Sequence, residues 1–509
     1  MENNDRKDMR LFTRLIKGGH VPDILDCIAN LSSDEVFTPP ELVDKILDLL
    51  PDEVWHDSSL KWLDPACKTG IFLRQIAKRL MASLREEFPD EEKRREHIFH
   101  NMLYGIALTD LTALMSRRSL YTSKNANGEK SIANFDTPEG NISYDNRQHT
   151  YIDGSCIYCG NKKGSELDRG GDRERHAYNF IHLTKEESAN MKFDVIVGNP
   201  PYQLNDGGNG ASAAPIYHLF IQQAKKLNPK YMAFIIPSRW FAGGKGLDAF
   251  RDEMLHDRHI KKLVDYPDAN DCFPGVSIEG GVNYFIWDKS YNGDCEVSTI
   301  IGGEETKPMH RRLDEYDTFI RWNNAIPILR KVQARHEETI DKKISSRKPF
   351  GLPTNFTNFD NINNPDKFKL YANKKTGYVL KTQVTANKAW ATKYKVLVAN
   401  AYGGGGSFPN NVISKPLIAE PNSVCTETYM VAGVFDTEDE AKKLISYRCT
   451  RLFRFLLLLR KSSQHIPKNV YSFVPDLPMN QEWTDEKLFN RYDITPDEQE
   501  YIKSMIKEM

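Results

Sequence analysis

The sequence predicts an α/β protein, a doubly wound and mostly parallel sheet, followed by a C-terminal region of mixed α+β character. Three observations carry that prediction. Short apolar runs recur between residues 37 and 290, among them FDVIVG at 193–198 and YMAFIIP at 231–237. Segments of helical period separate them, the pattern of buried parallel strands joined by crossover helices. The rhythm then stops near residue 300, and the stretch 341–423 is rich in Asn, Lys, Pro and Gly, including the run Gly403–Gly406.

The elements follow in order. ELVDKILDLL at 41–50 spaces Leu42, Val43, Ile46 and Leu50 as one helical face, and Pro51 ends it. LKWL at 60–63 reads as a strand that delivers the chain to Asp64, and IFLRQIAKRLMASL at 71–84 as the helix after it. A second strand and helix are expected at 102–106 and about 109–121, and further strands near 260–266 and 281–287. Residues 216–226, 438–459 and the segment from Pro496 to about Lys507 read as helices, the last with Thr495 as its cap. This gives a first domain over 1–300, interrupted by an insert at about 122–190, and a second region over 301–509.

With 509 residues, 40% of them hydrophobic, the chain has material for a packed core, so disordered and fibrous classes are excluded. The apolar block Phe455–Leu459 is far short of the roughly 18 residues a membrane helix needs. The start, MENNDRKDMR, has no apolar core of a secretory signal, and a soluble cytoplasmic protein is expected. Net charge is −1, but its distribution is uneven: between Asp341 and Lys395 twelve Lys/Arg face three acids, and 451–468 holds five bases and no acid. Such fields attract phosphate backbones, although charge alone fits a solvated lysine-rich face equally well.

The chemistry is concentrated in FDVIVGNPPYQ, 193–203. A buried strand ends at Gly198, and Pro200 and Pro201 stiffen the loop at the sheet edge where ligands bind in such folds. Asn199 offers a side-chain oxygen, Pro200 a backbone carbonyl and Tyr202 an aromatic face. These match the two N–H donors and the π face of an exocyclic amine on a planar heterocycle. Two acceptors gripping both N–H bonds draw the nitrogen toward a tetrahedral shape and free its lone pair for attack, so no general base is required.

An electrophile has to come from elsewhere. LDPACKTGIFL at 63–73 forms a strand-to-helix turn in which Asp64 closes the strand, Ala66 is small and Gly70 admits a ligand close to the backbone. Upstream, VFTPPELV at 36–43 places Phe37 and Thr38 before a helix; alone it reads as an N-terminal cap with Thr38 capping.

In order and spacing, FTPP, DPACKTG and NPPY resemble the amino-group DNA methyltransferases, nearest to the N6-adenine group with cofactor motifs first and target recognition last. Residues 36–290 carry the likeness, and 437–509 resemble the C-terminal part of the larger adenine methylases of bacterial restriction–modification systems. The resemblance implies a Rossmann-like methyltransferase domain and a target-recognition region. It implies S-adenosylmethionine as cofactor, held at Asp64, Ala66 and Gly70 with Phe37 and Thr38 beside it. It implies a flipped adenine of double-stranded DNA at Asn199, Pro200, Pro201 and Tyr202, and a restriction endonuclease as a partner. Two positions depart from the pattern. Lys68 stands where the family usually has glycine, and Ala107 stands where an acid usually meets the ribose, which leaves Asp110 as the candidate there.

Flipping a base costs a few kcal/mol, and one stacking ring returns about 1–3 kcal/mol. A second ring is therefore expected; Phe273 matches the position where related enzymes place one, with a core phenylalanine as the competing reading. The insert contains CIYCG and HAYNFIH, so Cys156, Cys159, His176 and His182 form a candidate set for a structural zinc, and His149 is able to replace either histidine. The competing reading is reduced cysteines and ordinary histidines.

Other functions compete. Methylation of a protein glutamine amide uses the same NPPY chemistry, but a long basic C-terminal region does not suit it. A combined endonuclease–methylase would need more than PDEEK at 89–93, which lacks the usual gap between its acids. A DNA-binding protein with a decayed cofactor site is motivated by Lys68 and Ala107. Cytosine N4, another exocyclic amine, competes with adenine as target.

Overall fold

The structure, a computed structural model, describes residues 36–145, 147–164, 177–203, 215–244, 246–276, 278–403, 408–461 and 464–509. Their contacts divide the chain into two compact units. One runs to Trp240 and resumes over Gly244–Glu315; the other comprises Phe241–Gly243 and Tyr316–Met509. Phe241 joins the second unit because its ring stacks on Phe319 at 4.1 Å.

The first unit is built on a sheet of ten strands among the described residues. In chain order they are β1 Trp62–Cys67, β2 Leu103–Ala107 and β3 Ile142–Ser143, then, past a small hairpin of β4 Tyr151–Ile152 and β5 Ser155–Cys156, β6 Val195–Gly198, β7 Tyr231–Pro237, β8 Ile260–Tyr266, β9 Val282–Asp288, β10 Cys295–Ile301, β11 Glu304–Glu305 and β12 Met309–Arg311. The spatial order is β11-β10-β8-β9-β7-β6-β1-β2-β3, with β12 also on β10. Neighbours from β7 to β3 are parallel, β9 is antiparallel to both β7 and β8, and β8 and β10 are parallel again. From β1 the chain winds outward to β2 and β3, then restarts at β6 on the other side of β1. That reversal opens a crevice between the C-terminal ends of β1 and β6. The central strands β6, β7 and β9 are buried except at Tyr231, which is why their sequences read as mainly apolar runs.

Several boundaries differ from the sequence prediction. β1 runs past LKWL through Asp64 to Cys67, with a register shift between Asp64 and Cys67, so the first part of the DPACKTG segment lies inside the sheet. The predicted insert contains β3, whose pairing with β2 completes one edge of the sheet. The helix expected over 438–459 is two, Glu438–Cys449 and Arg451–Leu458, because Thr450 is extended and caps the second through Phe453 N. The first helix, Pro40–Leu47, is capped at Pro39 with no side-chain bond, so Thr38 does not cap it. Thr495 does cap Pro496–Met505, in a reciprocal bond with Glu498.

The second unit contains two three-stranded sheets. One pairs β13 Lys367–Ala372 with β14 Lys375–Leu380 and β17 Ser423–Cys425; the other pairs β15 Tyr394–Ala399 with β16 Leu417–Ala419 and β18 Tyr429–Phe435. They share one apolar cluster that includes Phe350, Leu370, Val379, Leu397, Val424 and Val431. Among the described residues no helix is long and apolar enough to cross a membrane.

Candidate active site at the switch point of the first sheet

Asp64, inside β1, and Asn199, just after β6, meet at the crevice, although 135 positions separate them, because β1 and β6 are neighbours. The approach is close. A Cβ on Gly198 would stand 2.9 Å from Asp64 Oδ1, so any larger residue before Asn199 would displace the Asp64 carboxyl. The turn after β1 is held from the side by the helix Asp110–Tyr121. Ser116 accepts from the Cys67 thiol at 2.9 Å and donates to Lys68 O at 3.0 Å, and Gly70, at φ +73°, lies against its backbone.

The orientation of the Asn199 amide follows from its neighbours. Its Nδ2 donates to Val36 O and to Thr38 Oγ1, each at 3.0 Å. A carbonyl can only accept, so the nitrogen must face Val36 and the oxygen must face away. Asn199 is 3% exposed, and its Oδ1 has no hydrogen-bond partner. Thr38, released from capping, orients this amide instead.

Asn199 lines a narrow cleft of about 10 Å³, room for about one water molecule, together with Phe37, Thr38, Asp64, Ala66, Lys68 and Gly70, among others. The proposed cofactor residues and the amide thus face one space. Burial raises the Asp64 carboxyl to about 7, against the Ala66 N–H, which it accepts at 3.0 Å, and the Lys68 ammonium, which both pull it down. Lys68 is itself buried and donates to Val36 O at 3.1 Å, the carbonyl that also holds Asn199. Sequence reasoning marked Lys68 only as a departure and missed Val36 altogether, since a backbone carbonyl leaves no trace in residue identity. Asp110 is exposed at the first turn of its helix and does not line this cleft.

Pro200 and Pro201 are buried, and so are both candidate stacking rings. Tyr202 is 9% exposed and Phe273 2%, and both belong to the apolar core of the unit. Burial pushes the Tyr202 hydroxyl well above its ordinary value; the nearby Cys272 acts in the same direction and the Asn199 amide in the other. Neither ring offers an open face in this state, so a base could stack there only after the loop moves. The loop's far end is pinned where Ile216 N donates to Tyr202 O at 3.2 Å and Gln203 bridges Pro215. Trp240 is fully buried against Phe250, a packing residue.

In the insert, Cys156, Cys159 and His182 come together with His149 as the fourth member, while His176 lies outside the described residues. In the second unit the basic stretches are less available than their sequence suggests. Of the twelve bases between 342 and 395, seven form ion pairs with acids, among them Lys343 with Asp476, Lys367 with Asp360 and Lys393 with Asp436. Lys395 is fully buried. In 451–468, Arg451 and Arg460 are paired with acids, and Arg454 and Lys461 donate to backbone carbonyls.

Residues 101–273, which include β2, β6 and the NPPY loop, match the family model described as Eco57I restriction-modification methylase. The chain is also 41% identical, over 307 residues, to an uncharacterized adenine-specific methylase of Mycoplasma pneumoniae, an alignment covering 54% of this chain and 72% of that one. Among solved structures it resembles a modification subunit of a putative type I restriction enzyme from Vibrio vulnificus, at 16% identity and a TM-score of 0.35 over 62% of this chain and 56% of that one. It also resembles a type I methyltransferase subunit from Streptococcus thermophilus, at 15% identity and a TM-score of 0.33 over 63% and 59%. The chain thus spans little more than half the length of these subunits. Family membership rests on the sequence relative: the chain belongs to the adenine-specific methylases.

Proposed function

We propose that this methylase transfers a methyl group from S-adenosylmethionine to N6 of adenine in double-stranded DNA, with Asn199, Pro200, Pro201 and Tyr202 as the substrate loop. The observation that carries the proposal is the unpartnered, buried oxygen of Asn199, a residue that lines a cleft shared with Asp64. A buried acceptor without a donor costs about 1–3 kcal/mol. An amine N–H is the group that would satisfy it. S-adenosylmethionine, general to such methylases, supplies an electrophilic sulfonium methyl. The residues present fit part of it: Gly70 leaves the turn open, Asp64 offers an acceptor, and Phe37 and Thr38 close the side. With room for about one water molecule, the cleft in this state is far below the roughly 300–1,000 Å³ of pockets that enclose a drug-sized ligand, so it has to open to admit the cofactor.

The chain's own groups then do the following. Val36 O and Thr38 fix the amide so that Asn199 Oδ1 accepts one N6 proton, and the Pro200 carbonyl accepts the other. Their joint pull localises the lone pair on nitrogen, and the proton released on methylation passes to solvent. Tyr202 and Phe273 bracket the base once the loop opens. Asp110 approaches the ribose from the start of its helix. DNA is held by the second unit, whose salt-bridged lysines exchange acid partners for phosphates at modest cost, because exposed ion pairs are worth only about 0–1 kcal/mol. A restriction endonuclease is the partner that this family implies.

Duplex DNA incubated with methyl-labelled S-adenosylmethionine and the full chain tests the proposal. Label on adenine N6 is expected. Label on cytosine N4, or on a glutamine amide of added protein and not on DNA, would overturn it.

A further inference from the structure

We propose that His149, Cys156, Cys159 and His182 bind one zinc ion, and that this ion fastens the insert to the helix that anchors the far end of the substrate loop. The four ligand atoms lie within 4.8 Å of one another. Cys156 Sγ is 3.7 Å from His182 Nε2, and Cys159 Sγ is 3.4 Å from His149 Nδ1. A tetrahedral zinc with bonds of about 2.0–2.3 Å has ligand–ligand edges of roughly 3.3–3.8 Å, and both separations fall on that scale. Two thiols and two imidazoles are the donor set zinc prefers.

The surroundings are those of ligands held in place. The hairpin β4–β5 delivers Cys156, and the turn after it closes through Gly160 N to Cys156 O at 2.8 Å, which brings Cys159 back beside it. His182 Nδ1 donates to Tyr178 O at 2.7 Å, leaving the Nε2 lone pair directed at Cys156. Such a carbonyl partner on the outer nitrogen is the usual companion of a metal-bound histidine. Arg147, two residues before His149, donates to His182 O at 2.9 Å and pairs with Glu187, so the two histidine arms are tied together outside the tetrad.

The His182 turn also connects to the substrate loop. Tyr178 and Phe180 both pack on Phe220, each at 5.9 Å between ring centres. Phe220 lies in the helix Tyr217–Lys226, which begins directly after the Ile216–Tyr202 bond. Zinc would set the position of that helix through its histidine, without any part in the chemistry and with no open coordination position.

Elemental analysis of the full chain, purified without chelator, is expected to find one zinc per chain. After chelation, added cobalt(II) should give the visible bands of a tetrahedral thiolate site. Binding is expected to weaken at least tenfold in His149→Ala and Cys156→Ser and to stay unchanged in His176→Ala. Cobalt spectra of the wild-type chain keep the test sound if a variant fails to fold. Absence of both metal and cobalt bands in the wild-type chain, or an unchanged affinity in His149→Ala, would overturn the site. Zinc removal that leaves protease cleavage between residues 203 and 216 unaltered would overturn the link to the loop. The site does not depend on the methyl-transfer reading: a chain that binds zinc and methylates nothing would refute that reading alone.

Discussion

Asn199 in the first unit and Lys395 in the second are both buried, and both rest their nitrogens on backbone carbonyls. Lys395 is fully enclosed, and its ammonium meets the carbonyls of Trp390, Ala391, Lys393 and Glu420. Every donor has an acceptor, so the charge persists even though burial lowers its pKa to about 8. Asn199 uses its donors in the same manner but leaves its oxygen without a partner. Buried polar groups are mostly paired, so a saturated one such as Lys395 reports structure, and the half-saturated Asn199, a residue that lines a cleft, has an acceptor to offer a ligand. The contrast extends to the surface, where the second unit's lysines look available in sequence and are mostly paired in the fold.

The largest effect expected from this contrast is on chemistry. Asn199→Ala should lower the methyl-transfer rate by about 10²–10³-fold, the loss typical of removing one preorganised polar contact to a reacting group. Stability should change little, because Lys68 still donates to Val36 O and the deleted oxygen had no partner. Single-turnover rates and thermal melting on the same preparations check this. A large fall in melting temperature would move Asn199 into the class of Lys395. In the opposite sense, Lys395→Met strands four carbonyls and should destabilise the chain by about 3 kcal/mol in urea unfolding, as breaking a buried charged network does. A change below about 1 kcal/mol would show that water reaches those carbonyls.

What the sequence revealed divides along the same line. Apolar runs report burial directly, so β6, β7 and β9 were legible, and with β6 the strand end that carries Asn199, whereas β1 runs on through Asp64 to Cys67. The adjacency of β1 and β6 follows from winding order, which the α/β rhythm implies. Thr38 was not legible, because Thr-Pro-Pro before a helix satisfies a cap and an amide anchor equally well. His149 was not singled out over His176 because ligand choice depends on how the insert folds back, and spacing along the chain does not encode that. In the second unit β13, KFKLYA, alternates buried and half-buried residues, yet its lysines hid the alternation. The count of bases there misled for a related reason: partners such as Asp436, Asp476 and Glu427 lie far along the chain.

A smaller effect separates structure from function at Asp64. Its carboxyl is raised to about 7 in the folded state and ionises near 3.8 when free. The folded chain therefore keeps a proton that the unfolded chain has lost between those values. The resulting stability is fully present below pH 3.8 and disappears as pH rises through about 7. Asp64→Asn is neutral at every pH, so it should raise the melting temperature above the wild type at pH 8 and not at pH 3.5, while weakening cofactor binding. An equal shift at both pH values would show that the carboxyl is not held protonated.

The smallest effect expected is at Lys68, the position that departs from the family pattern. Lys68→Met keeps the length and burial of the side chain and removes its charge and its bond to Val36 O. Val36 O retains Asn199, so the amide stays oriented and transfer should fall by no more than about tenfold, the equivalent of one charged hydrogen bond of about 1.5 kcal/mol. The ammonium also lowers the Asp64 carboxyl, so its loss should move that group above 7. The stabilisation produced by Asp64→Asn begins near the free carboxyl's 3.8 in both backgrounds, but in Lys68→Met it should go on growing to a higher pH before it levels off, and to a larger final value, than in the wild type. Melting curves of the four chains across pH 6 to 9 measure the displacement. If the pH at which the stabilisation levels off does not move, Lys68 acts on the site only through Val36, and its charge has no part in holding Asp64.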